Sequence, residues 1–195
     1  MKKLFFLLVV IVSAIVSSNT WAEPTKNNNL EKLAPDTVYR MGIVESNWRD
    51  NIVGDKKLKE NAYGALQIRQ PALDDVNKKL GTKYTNADCI QSREISITVA
   101  MEYVSKYATE SRLGRKPTQR DMVLIYNGGP CAPFENGAID KNGNVPKDPK
   151  AKARVIRCQK NARIYASKVF SVPMSTERFQ KEVLVYIEKT GRPKS

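Results

Sequence analysis

The 195-residue chain contains no histidine, so the proton chemistry open to it falls to its carboxylates. Ser-His-Asp and Cys-His nucleophilic catalysis and His-ligated metal sites all require an imidazole and are excluded. Cys89, Cys131 and Cys158 are too few and too scattered for a structural zinc site. General acid–base chemistry by a carboxylate survives this filter, and no cofactor or metal is expected. The best-placed acid is Glu45, followed by Ser46, where an apolar helical run ends. Two further segments follow it, Asn61-Ala-Tyr-Gly-Ala-Leu-Gln-Ile68 and Ile125-Tyr-Asn-Gly-Gly129. Gln67 supplies an amide that can donate and accept, and Tyr126 and Asn127 add a phenol and a second amide. Asp50, Asp55, Asp74 and Asp75 are candidates for a second acid, but nothing in their spacing singles one out. Asp74 and Asp75 also stand early in an expected helix, where the dipole alone favours acids.

The elements that must carry these groups are mostly helical. Leu33, Val38, Met41 and Val44 recur at mixed three- and four-residue spacings, with Pro35 suited to a first turn. This predicts a helix over Leu30 to Val44 that delivers Glu45 at its C-terminal end. Helical periodicity fails from Asn47 to Arg69, where Gly54, a charged run and Gly64 suggest turns around short extended pieces. Pro71 opens a helix that stops at Gly81, and Ile95, Val99, Tyr103 and Tyr107 mark a longer one. Thr118 and Asp121 have capping-box spacing, so Met122 to Tyr126 should be helical until Asn127-Gly128-Gly129-Pro130 ends it. No element is clear in the Gly-, Pro- and Asn-rich stretch up to Pro149. Val155, Cys158, Ala162, Tyr165 and Val169 give the cleanest amphipathic helix, ended before Pro173, and a last helix runs from Thr176 to Lys189.

A predominantly α-helical α+β domain with one irregular or weakly β lobe therefore follows from the pattern. The three segments, in their order and approximate separations, resemble the lysozyme-like superfamily, in particular the catalytic domain of soluble lytic transglycosylases. In that family a Glu-Ser pair closes the catalytic helix, a G-A-x-G-L-x-Q-I segment lines the glycan cleft, and an A-Y-N-x-G segment follows. The resemblance spans about Pro35 to Val169. It departs from the pattern at Asn61, at Ala65-Leu66, at Ile125 and in the longer Asn51 to Glu60 stretch, changes that bear on sugar specificity more than on catalysis.

That likeness implies a lysozyme-like fold and a peptidoglycan-cleaving glycosidase acting on the MurNAc-GlcNAc linkage, a lytic transglycosylase or a muramidase. It makes Glu45 the catalytic acid and Ser46, Tyr63, Gln67, Tyr126 and Asn127 substrate-binding residues. A glycosidic oxygen leaves poorly until protonated, so the acid must keep its proton near neutral pH, as a partly desolvated carboxyl does. Most glycosidases add a second carboxylate. In the transglycosylases the single Glu serves as acid and then as base toward the muramic C6 hydroxyl, giving a 1,6-anhydro product. Viewed alone, Glu45 is an ordinary polar helix-end residue, and Tyr63 is as well suited to filling the lobe as to stacking on a sugar. Tyr126 and Asn127 equally fit a core aromatic and a helix C-cap.

Composition places this chemistry outside the cytoplasm. Lys2 and Lys3, an apolar run from Leu4 to Val16 and a small residue at Ala22 have the layout of a signal peptide. The expected order is a signal peptide at 1–22, a polar lead-in at 23–34, the catalytic domain at 35–173 and a C-terminal helix and tail at 174–195. Export to the periplasm or beyond follows, with no permanent membrane span after cleavage. Loss of Lys2 and Lys3 lowers the formal net charge from +13 to +11, so the mature chain should seek anionic envelope polymers besides its glycan strands. In an oxidising compartment the cysteines give one disulfide and one leftover thiol. Cys131 with Cys158 is favoured, with Cys89 buried, a closure adding about 3.5 kcal/mol; the other two pairings stay open. The basic residues of the last two helices read as a solvated face. A second hypothesis keeps the fold without catalysis, as a secreted glycan-binding or envelope-scaffolding module. Secreted nucleic-acid binding is weaker still, because aromatic and basic residues do not interleave, and no nucleic-acid partner is expected.

Overall fold

A computed structural model describes residues 32–54 and 61–190. The expected signal peptide, most of the polar lead-in and Asp55 lie outside the described residues. Helix α1 spans Pro35–Ser46, opened by the proline in its first turn and closed by Asn47 in the left-handed conformation at φ 55°. It starts later than the periodicity suggests and runs past Glu45. Three two-residue strands, β1 (Val53–Gly54), β2 (Ala62–Tyr63) and β3 (Ile68–Arg69), then form an antiparallel sheet in sequential order. Val53 pairs with Tyr63, and Tyr63 with Ile68. This is the lobe expected where helical periodicity fails.

Helix α2 (Gln70–Leu80) ends at Gly81, and α3 (Asn86–Gln91) follows under a capping box of Thr85 and Asp88 that the apolar pattern alone does not reveal. Helix α4 (Arg93–Tyr107) buries Ile97, Val99, Ala100 and Val104, whereas Ile95, Tyr103 and Tyr107 are half-buried along its margin. After the single turn of α5 (Glu110–Leu113) comes α6 (Gln119–Gly128), begun as expected by Thr118 and Asp121. The expected stop at Asn127 comes two residues late: Asn127 lies inside the helix, and Gly129 caps it. Gly128 carries α6 against the next long helix, since a Cβ there would lie 2.8 Å from the Ala132 and Ala162 methyls.

Helix α7 (Pro149–Ser171) buries Gln159, Ala162, Tyr165, Ala166 and Val169. The stretch before it is fastened by one side chain: the Gln159 amide accepts from Gly137 N–H and donates to the Cys131 and Ala138 carbonyls. The last expected helix is divided into α8 (Thr176–Phe179), a π-helical turn at Gln180–Leu184 and α9 (Val185–Thr190). Arg93 joins three regions. It contacts the Asp50 carboxylate at 2.7 Å, the Trp48 carbonyl and Glu182, and lies 5.2 Å from the Trp48 ring centre. The core threads Val38 and Met41 of α1, Leu66 and Ile68 of the lobe, Ile97 of α4 and Ile125 of α6. The fold is thus mostly helical with one small antiparallel sheet. Among the described residues no helix is long and apolar enough to cross a membrane.

Candidate functional site

The cavity between the lobe and α4 and α6 has a volume of about 660 Å³. Glu45 opens onto it from the last turn of α1, together with Gln67, Arg69, Tyr103, Tyr126 and Asn127. Ile52, Ile68, Pro71 and Ala72 give its apolar surfaces. Among the described residues Glu45 is its only carboxylate. Alternating apolar faces and amide, phenol and guanidinium donors suit a polyhydroxylated ring, which is amphipathic in the same way.

The chain folds around Glu45 for local reasons. Beyond Asn47, Trp48 also takes positive φ and turns its indole back under the helix, where Nε1 donates to the Tyr39 carbonyl at 3.0 Å. Ser46 anchors the helix end to the lobe. Its hydroxyl donates to the Ala65 carbonyl at 2.7 Å and accepts from Arg49 N–H. From α6 the Tyr126 hydroxyl donates to the Leu66 carbonyl. Two adjacent carbonyls of the lobe turn are therefore held by two different helices. The next residue, Gln67, adopts φ 48°, a left-handed conformation uncommon outside glycine. Gln67 Nε2 donates to the Gly64 carbonyl at 2.9 Å, and Oε1 lies over Gly54, where a Cβ would come within 1.9 Å of it. Gly64 is equally constrained: at φ +73° its Cβ would meet the Cys89 carbonyl at 2.0 Å.

Two buried phenols feel the charge of the acid. Burial raises the pKa of both Tyr126 and Tyr165 well above that of free tyrosine, and the Glu45 charge raises it further. Both hydroxyls stay protonated as donors. The Tyr165 hydroxyl is buried without a hydrogen bond of ordinary geometry, although Glu45 is near enough to influence it as a hydrogen-bonding neighbour. On the opposite wall burial pushes the Tyr103 phenol up to about 12, helped by neighbouring Tyr107 and Asp75.

The structure brings Glu45, Gln67, Tyr126 and Asn127 onto one cavity and leaves two expected substrate contacts off it. Ser46 is a correction: it is buried beneath the cleft, with its hydroxyl engaged by the lobe and by Arg49. Tyr63 does not line the cavity and packs against the core, the lobe-filling alternative. The disulfide between Cys131 and Cys158 is not formed, and all three cysteines are free. Gln159 takes the inward position on α7 and bonds the Cys131 carbonyl, and the adjacent Cys158 is exposed. Cys89 is buried as expected, and burial raises its thiol pKa to about 11.

The candidate second acids are engaged elsewhere. Asp50 pairs with Arg93, and Asp74 accepts from Gln70 at 2.7 Å. Burial pushes the Asp75 pKa up, but Lys106 and Tyr107 outweigh it and hold the carboxyl below its usual range. None of these three lines the cavity. Tyr103, Tyr165 and Arg69 are the site groups that sequence reasoning missed. Tyr103 and Tyr165 occur in apolar helical stripes, which give no sign of whether a hydroxyl reaches an acid. Among the described residues no three His, Cys, Asp or Glu side chains gather in a way that could hold a metal ion. No family model, curated protein or solved structure matches the chain.

Proposed function

We propose that this chain is an exported, lysozyme-like peptidoglycan glycosidase, a lytic transglycosylase that cleaves the MurNAc-GlcNAc linkage with Glu45 as both acid and base. One observation carries the reading: a glycan-sized cavity with a single carboxylate among the described residues, beside two buried phenols. A hydrolase of the usual kind would need a second carboxylate to attack or to activate water. A one-acid reaction needs only a proton that leaves and returns.

In the first step the protonated Glu45 carboxyl gives its proton to the glycosidic oxygen. The C1–O bond breaks, and GlcNAc departs with a 4-hydroxyl. The muramic C6 oxygen then bonds to C1, and its proton passes to the Glu45 carboxylate, so the acid is restored and no water is consumed. Half-burial of Glu45 and the protonated Tyr165 hydroxyl support this exchange, one by limiting solvent and the other by offering a donor to the carboxylate. Gln67, Asn127 and Tyr103 offer amide and phenol contacts to N-acetyl and hydroxyl groups. The arrangement of residues 1–22 supports export.

Purified protein incubated with peptidoglycan sacculi should release muropeptides with 1,6-anhydro ends, read by mass spectrometry. Glu45→Gln should abolish the release. Reducing ends would replace the transglycosylase with a hydrolase. Glycan binding without release by wild type would leave a scaffolding module, and equal release by Glu45→Gln would remove the acid from the mechanism.

A further inference from the structure

Helix α7 carries seven lysines and arginines and no acidic residue. At about 100° per residue, Lys150, Arg154, Arg157, Lys160 and Lys168 fall within an arc of about 120° on one side. All five are exposed, and among the described residues none pairs with a carboxylate. Helix stability does not account for them. Lys150 lies in the first turn and Arg154 soon after, where the positive end of the dipole disfavours cations.

The buried residues Gln159, Ala162, Tyr165, Ala166 and Val169 occupy the other side of α7, with Tyr165 at the border beside Arg154. The cationic arc therefore faces away from the packed side of the helix. Within it Ile164 is 49 % exposed, and Ile156, 43 % exposed, stands about 40° beyond one edge. At 23 residues the helix is about 34 Å long.

We infer that the outer face of α7, none of whose residues lines the cavity, docks the protein on an anionic phospholipid bilayer. A convex row of unpaired cations matches a broad anionic surface better than a strand that must be gripped in a groove. The exposed isoleucines have a place in such a surface, among the acyl boundary of the headgroups, and none along a phosphate backbone in water. The inference is independent of Glu45 chemistry.

The test is sedimentation of full-length protein with vesicles of phosphatidylglycerol and phosphatidylethanolamine, against vesicles of phosphatidylcholine alone. Binding should be confined to the anionic vesicles and weaken with added salt. Replacing Arg154, Arg157, Lys160 and Lys168 with Gln should lower the vesicle affinity by about fivefold per residue, so about six-hundredfold together. A control with Lys32, Lys83, Lys116 and Arg120 changed to Gln has the same net charge and should keep most of the binding. Glu45→Gln should sediment like wild type, which separates this result from the fate of the proposed catalysis. Circular dichroism of both four-site variants establishes that the helices remain. Equal loss in the control, full binding by the α7 variant, or no binding to anionic vesicles would each overturn the inference. So would a DNA oligonucleotide that binds this face when vesicles do not.

Discussion

Ser46→Ala separates a positioning role from substrate contact. The variant removes one buried hydroxyl and leaves the Ala65 carbonyl without its 2.7 Å donor, while the Arg49 N–H keeps only its longer bond to the Ser46 carbonyl at 3.4 Å. Ser46 is 3 % exposed, so water does not readily replace the lost partner. An unsatisfied buried carbonyl costs roughly 1–3 kcal/mol, so the loss is about 2 kcal/mol. For a chain of 195 residues each kcal/mol moves Tm by about 2–4 °C, so calorimetry should record a fall of about 4–8 °C. The same bond fixes the end of α1 against the turn that bears Gln67. Glu45 should lose its alignment, and muropeptide release should show kcat reduced at least severalfold with KM little changed. An unchanged Tm with a raised KM would refute the reasoning, because that is the signature of a serine that touches sugar.

Tyr165→Phe should lower kcat in the same release assay while Tm stays level or rises, because the hydroxyl it removes is buried without an ordinary hydrogen bond. A large drop in Tm would mean the phenol is structural. Burial pushes the Asp121 pKa up, but Arg115 and Thr118 outweigh it and hold the carboxyl below its usual range. Its contribution to stability is therefore complete above a pH of about 4 and is lost as pH falls through the depressed folded value. Denaturant titrations from pH 6 to 2 should show this acid-side decline, and Asp121→Asn should flatten it at some cost in stability at neutral pH. A thiol reagent should label the exposed Cys158 first and the half-buried Cys131 more slowly, with Cys89 reacting only after denaturation. Native protein with no free thiol at Cys131 or Cys158 would contradict the reduced arrangement.

Several features were readable from local sequence. The Thr118 to Asp121 spacing, Pro35 and Gly81 each act within a few residues of themselves, and each marks a helix end found in the structure. Glu45, Gln67 and Tyr126 could be grouped because their segments occur in a familiar order, and they do line one cavity. The errors fall where an amphipathic pattern supports two outcomes. Ser46 next to Glu45 reads as part of the same site, yet one residue is a 100° rotation on a helix, enough to turn its hydroxyl beneath the cleft. The same rotation puts Gln159 inward and Cys158 outward, against the expected bridge.

By itself the sequence determined the helical composition, the helix ends marked by Pro35, Gly81 and Thr118, the lack of imidazole chemistry and the strong positive charge, since these depend on residue type and near neighbours. Only the tertiary structure decided which polar groups meet. Tyr165 lies 120 positions from Glu45 in the numbering, and Arg93 is 89 from Glu182. Such contacts come from helices packing at particular rotations and depths, which local periodicity restricts to a face without choosing the neighbour across it.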